Sequence, residues 1–155
     1  MLLRFVKGYQ TAKLLVKPWP YTTRNCLSHI IKQLGTMSAG LNSIKKVDID
    51  PAGVYKYILI KVHDSNAEAE TSVTIVRGYA KCEYHADILD LVQENIKDYD
   101  CECIGGGRIS HQPNEKKIHI YGYSQGYGKA DHEITAKLVK DAFPGYTVSI
   151  SDEGY

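Results

Sequence analysis

Hydrophobic positions recur with two different periods between Val47 and Ile150, and the switches between the periods mark the elements. Val47 to Ile49 and Val54 to His63 are short apolar-rich runs around a turn from Asp50 to Gly53, and Ser72 to Tyr79 is another after a polar loop from Asp64 to Thr71. All three are predicted strands. From His85 to about Lys97 the period lengthens, placing Ile88, Leu91, Val92 and Ile96 on one helical face. Strand signals return at Cys101 to Ile104, around Ile109, and from Lys117 to Tyr123, with a hairpin turn at Pro113, Asn114 and Glu115. A second helix is predicted from an N-cap at Asp131 to Ala142, with Ile134, Leu138 and Ala142 on one face and Pro144 and Gly145 ending it. Thr147 to Ile150 supplies a last strand. The expectation is a single α/β domain whose mixed β-sheet, of about six strands, is flanked by two main helices.

Charge divides the chain more sharply than the net value of +1 suggests. The first 47 residues hold eight of the nineteen Lys and Arg and none of the eighteen Asp and Glu, so that segment carries +8 and the remainder −7. Residues 1–46 are therefore expected to be a basic extension, disordered or targeting, and residues 47–155 the folded domain. An acid-free stretch with Arg4, Lys7, Lys13, Lys17, Arg24 and Lys32 among apolar and hydroxylated residues has the composition of a mitochondrial targeting segment. The alternative is a basic arm upstream of a start at Met37. No apolar run reaches membrane-spanning length, and Pro18 and Pro20 break any long helix. An acidic domain does not suit nucleic acid, which needs a basic surface.

Four cysteines, Cys26, Cys82, Cys101 and Cys103, make no disulfide framework in a chain of this size, so a reducing compartment fits and the localisation expected is cytoplasmic, with mitochondrial as the alternative. Cys101 and Cys103 are too closely spaced for a usual structural zinc pair. They read instead as small side chains on one strand face, and no metal is expected.

The candidate chemistry lies at the ends of apolar strand faces. Lys56 continues the face of Ile58, Ile60 and Val62; Arg77 that of Val73 and Ile75; Ser124 that of Ile118, Ile120 and Gly122. A cation so placed snorkels to solvent, finds a carboxylate, or lines a cleft at the sheet edge. Gly105, Gly106 and Gly107, opening onto Arg108, leave backbone N–H groups uncovered beside a fixed cation, as an oxyanion site requires. His85 stands where the helical pattern begins, in a field that favours a bound anion and a neutral imidazole. Competing phosphatase chemistries fail on register. Cysteine-dependent enzymes need Cys-x5-Arg, whereas four residues separate Cys103 from Arg108 and six separate Cys101 from it. Asp48-Ile49-Asp50 runs into a proline turn rather than an aspartyl-phosphate loop, and no Gly-Lys-Ser/Thr follows the glycines.

Tyr84-His85-Ala86-Asp87-Ile88, Cys103 to His111, Ile120 to Ser124 and the closing Asp152-Glu153-Gly154-Tyr155, in that order, closely resemble the phosphohistidine phosphatase family with its insect janus and ocnus branches. The stretches Ser124 to His132 and Ile150 to Tyr155 look most like janus-A. The resemblance implies that His85 is catalytic, that Lys56 and Arg77 approach the phosphate, and that Ala86, Arg108, Ser124 and the backbone of Gly126 complete the site. Gly126 replaces the alanine of the vertebrate phosphatase, leaving the backbone N–H in place. The implied activity is hydrolysis of a phosphoramidate P–N bond in phosphohistidine-containing protein substrates, without cofactor or metal, by a monomer. The alternative the resemblance carries is a non-catalytic, phosphate-binding janus-type regulator in sex-related development.

Overall fold

The computed structural model describes residues 40–65 and 71–152. Its elements run β1 (Val47–Ile49), β2 (Gly53–His63), β3 (Ser72–Gly78), α1 (His85–Asn95), β4 (Asp100–Gln112), a 3-10 turn (Pro113–Glu115), β5 (Lys117–Tyr121), α2 (His132–Ala142) and β6 (Thr147–Ile150). One six-stranded sheet has the order β1-β3-β2-β4-β5-β6. The outer pairs β1/β3 and β5/β6 are parallel and the inner pairs antiparallel, so the sheet is mixed, as the alternation of elements implies. Residues 1–39 lie outside the described residues, and with them most of the basic extension.

Central position explains why β2 is apolar on both faces. Tyr55, Tyr57 and Leu59 join Ile109, Ile118 and Ile120 in one core, closed by Ala136 and Val139 of α2. Ile58, Ile60 and Val62 join Ile75 in the other, closed by Ile88 and Val92 of α1. Strand alternation thus sends the two helices to opposite faces. Leu41 is buried in the second core and Ile44 packs against it. Packing therefore reaches upstream of Val47. A further tie is the Val76 N–H, which donates to the Lys46 carbonyl at 2.8 Å.

Three local expectations change. The glycines do not interrupt the strand pattern, because β4 runs unbroken through them, with a register shift opposite Leu59 and Ile60 absorbing the extra residue. Close approach explains the glycines. A Cβ at Gly105 would stand 2.6 Å from the Ala130 backbone, and one at Gly107 would stand 2.7 Å from the Tyr121 carbonyl oxygen. Second, β5 ends at Tyr121 because Gly122 turns the chain at φ 71°, so Ser124 and Tyr123 are carried off the strand face rather than continuing it. Third, α2 buries His132, Thr135, Ala136 and Val139, and leaves Ile134 43% exposed. The packed face is thus rotated from the one the apolar spacing suggests, with Leu138 at its edge against the core. Asp131 caps the helix as its sequence suggests, its carboxylate accepting the Glu133 and Ile134 N–H groups.

Candidate active site

Opposite the glycines, at the N-terminal end of α1, a cleft of about 550 Å³ opens between β2, β4 and the 124–128 loop. Lys56, Glu83, Tyr84, His85, Ala86, Arg108, Ser124, Gln125, Gly126 and Tyr127 line it. Lys56 and Arg108 are register partners on β2 and β4, so both project from the same end of the same sheet face. Helix α1 begins at His85, with Tyr84 as its extended N-cap residue and the Asp87 carboxylate accepting the Tyr84 N–H at 2.7 Å. That contact fixes the first turn. The N–H groups of such a turn have no intrahelical acceptor, and those of His85 and Ala86 stand at the cleft.

The half-buried imidazole of His85 lies across β4. Its Nε2–H donates to the Gly107 carbonyl at 3.0 Å, which leaves the lone pair on Nδ1. Gly106 makes this approach possible, since a Cβ there would stand 2.8 Å from the His85 Cδ2. Burial holds the His85 pKa below its ordinary value of 6.5; the bond to Gly107 works against this, and the charges of Lys56 and Arg108 add to it. The result is a ring biased towards its neutral form in a cleft lined by two cations. The reason differs from the helix-field argument, with desolvation leading.

The 124–128 loop forms the far wall. Ser124 is buried, and its Oγ accepts the Tyr127 N–H at 3.2 Å. Its backbone exchanges two hydrogen bonds with Gly128, whose carbonyl also accepts the Gly106 N–H at 3.0 Å. The loop is therefore stitched to the same glycine strand that seats His85. Gly126 lines the cleft with nothing within 4 Å of an added Cβ, so glycine and alanine fit equally well.

Arg77 is not among the lining residues. Its guanidinium is buried and donates to the Val76 and Lys45 carbonyls, both at 2.8 Å. Beside Asp48 it holds the 45–48 segment against β3. The strand-end argument put Arg77 on the correct face, opposite Ile58, but did not see that upstream carbonyls would claim it. The glycines likewise act as a seat for the ring more than as an open anion loop, because the Gly106 N–H is already bonded. Sequence reasoning missed Glu83, Tyr84, Gln125 and Tyr127. Their signal was adjacency to His85 and Ser124. Cys103 lies on the other side of the glycines, where its thiol is held up in pKa by burial. Among the described residues no three His, Cys, Asp or Glu side chains converge as metal ligands.

The Janus/Ocnus family model matches residues 41–147, which hold every element from Leu41 through α2 and the site itself. The chain belongs to the Janus/Ocnus family. It is 52% identical over 123 residues to the 14 kDa phosphohistidine phosphatase of Sus scrofa, covering 76% of this chain and 98% of the relative. The human protein of that name is 52% identical over 122 residues, with the same coverage. The sex-regulated protein janus-A of Drosophila melanogaster is 41% identical over 138 residues, covering 81% of this chain and all of the relative. Among the described residues, no helix is long and apolar enough to cross a membrane.

Proposed function

We propose that this Janus/Ocnus chain is a protein phosphohistidine phosphatase that hydrolyses the P–N bond at the His85 cleft. The observation that carries the reading is the His85 ring itself, held neutral with its Nδ1 lone pair free while Lys56 and Arg108 share the cleft. Lys56, Arg108 and the N–H groups of Ala86 and Gly126 hold the phosphoryl oxygens, as a charge-rich transition state requires. Ser124 sets the loop that presents Gly126. Nδ1 then takes a proton from an in-line water, or attacks phosphorus itself and is transiently phosphorylated. Both routes use the same lone pair, and acid-labile labelling of the enzyme during turnover distinguishes them. No step calls for a metal. Arg77 enters this reading as a positioning residue that fixes β3 against residues 45–48.

Similarity to janus-A favours a second reading, in which the cleft binds phosphate without turnover. Purified full chain with a phosphohistidine peptide and excess chelator decides between them. Sustained phosphate release supports the enzyme; saturable phosphate binding with no release supports the regulator. Activity abolished by chelator and restored by magnesium or zinc would overturn the metal-free mechanism. Because Leu41, Ile44 and the Lys45 and Lys46 carbonyls belong to the packed domain, only residues 1–39 are proposed to direct location, so a reporter carrying them should be imported into mitochondria if they form a transit peptide and remain diffuse if they are a basic arm.

A further inference from the structure

Glu83 is the one charged lining residue that phosphate binding leaves unexplained. It is exposed, stands two positions before His85, and lines the cleft with Lys56 and Arg108, yet it makes no ion pair or hydrogen bond with a described residue. A carboxylate beside a phosphoryl site repels the anion that the site admits. Bare phosphate binding is therefore weakened by it. The repulsion becomes recognition when the substrate is anionic at one end and cationic at the other. Space is available for such a substrate, because the cleft of about 550 Å³ is several times the size of a phosphoryl group. Exposed rings of Tyr84 and Tyr127 also line it, and aromatic faces suit a planar cation.

We infer that Glu83 is a specificity-determining residue, its carboxylate accepting a hydrogen bond from the protonated ring nitrogen of phosphohistidine while Lys56 and Arg108 hold the phosphoryl group. The inference rests on the phosphohistidine reading of the cleft. Its chemical value follows from the leaving group. When the distal ring nitrogen carries a proton, cleavage returns the P–N electron pair to the other nitrogen and neutral imidazole departs. Without that proton the departing group is imidazolide, a far poorer leaving group. A carboxylate that binds the distal N–H selects the substrate form that reacts, as a charge-assisted hydrogen bond can. The attacking water gives its proton to His85 and its oxygen to phosphorus, so Glu83 neither gains nor loses a proton.

The test compares Glu83→Gln and Glu83→Asp with wild type on two substrates: phosphohistidine flanked only by capping groups, and phosphoramidate, which has no ring. Glu83→Gln should lower kcat/KM for capped phosphohistidine about tenfold and leave phosphoramidate unchanged or slightly faster, with Glu83→Asp recovering part of the loss. Equal losses on both substrates would make Glu83 a structural residue and overturn the inference. So would no loss on capped phosphohistidine accompanied by a loss on peptides with a neighbouring Lys or Arg, which would mean that Glu83 reads flanking sequence. Wild type inactive on both substrates defeats the phosphohistidine reading as well. Wild-type activity with an indifferent Glu83→Gln defeats the inference alone.

Discussion

Two histidines open the two helices, and they are built almost alike. His85 begins α1 and His132 begins α2. Each Nε2–H donates to a backbone carbonyl at 3.0 Å, Gly107 for one and Gly122 for the other. Burial lowers both pKa values below 6.5. What differs is the second nitrogen. Nδ1 of His132 accepts the Tyr57 hydroxyl at 2.7 Å inside the core, whereas Nδ1 of His85 has no hydrogen-bond partner among the described residues and its ring lines the cleft with Lys56 and Arg108. Helix position, tautomer and lowered pKa are therefore shared by a core histidine and by the one proposed to react. The unpartnered lone pair separates them.

The largest expected effect breaks this comparison directly. His85→Ala should lower turnover by about two to four orders of magnitude while circular dichroism and melting stay close to wild type. His132→Ala should do the reverse, leaving the Gly122 carbonyl unpaired and the Tyr57 hydroxyl with only its longer contact to Thr135 Oγ1 at 3.4 Å, and costing about 2 to 4 kcal/mol of stability, with near-normal kinetics per folded molecule. Denaturant titrations and steady-state rates on both variants check it. If His132→Ala abolishes turnover without destabilising the chain, the two rings do not divide as argued.

Next in size is the seat of the ring. Gly106→Ala would place a methyl 2.8 Å from the His85 Cδ2 and 2.9 Å from the Tyr57 carbonyl oxygen, displacing the imidazole from Gly107. A loss of at least about tenfold in kcat is expected, since small misplacements of a reacting group are costly. Gly126→Ala, in open space, should change kcat by less than about twofold, and parallel kinetics of the two variants provide the check.

The cations sharpen the same contrast between cleft and core. Lys56→Met should weaken inorganic phosphate binding about tenfold in a competition assay, with melting little changed. Arg77→Met should lower the melting temperature and leave phosphate affinity within about twofold, because its donors serve backbone carbonyls. Equal weakening of phosphate binding by both variants would return Arg77 to the cleft.

Smallest is the pH effect. With folded-state pKa values below 6.5, each ring binds fewer protons folded than unfolded in the window beneath that value, so the stability they contribute is complete above 6.5 and is lost as the pH falls. Protonation of His85 also removes its lone pair, so kcat/KM should fall on an acid limb lying below 6.5. His132→Gln should flatten the stability profile and keep that limb. Melting curves and kcat/KM across the same buffers test both halves.

Much of this was legible in the sequence because alternation reports faces. β2 and β3 announced Lys56 and Arg77 at the ends of the Ile58 and Ile75 rows, and Asp131 announced α2. What alternation does not report is who claims a side chain after folding. Arg77 was taken by its neighbour's carbonyl at Val76 and by the Lys45 carbonyl from a segment far upstream, and Ser124 left its strand at Gly122. The glycines misled for a related reason. Three in a row signal that something comes close, without saying whether the visitor is a ligand or, as at Gly106, an imidazole from the same chain. On α2 the apolar spacing pointed to Ile134, Leu138 and Ala142, whereas the buried side is His132, Thr135, Ala136 and Val139, because polar groups with partners of their own can also be buried.

The bond between His85 and Gly107 ties the reactive ring to main chain rather than to another side chain. In a triad the residue that orients the histidine can be exchanged, and the base retuned, by one codon. Here no substitution deletes the acceptor, because every amino acid carries the same carbonyl. The aim of the ring changes only if β4 shifts against β2 or, as with Gly106→Ala, the seat beneath the ring is filled. Side chains on the surface of the cleft can therefore change while the partner of the His85 ring stays part of the frame of the sheet.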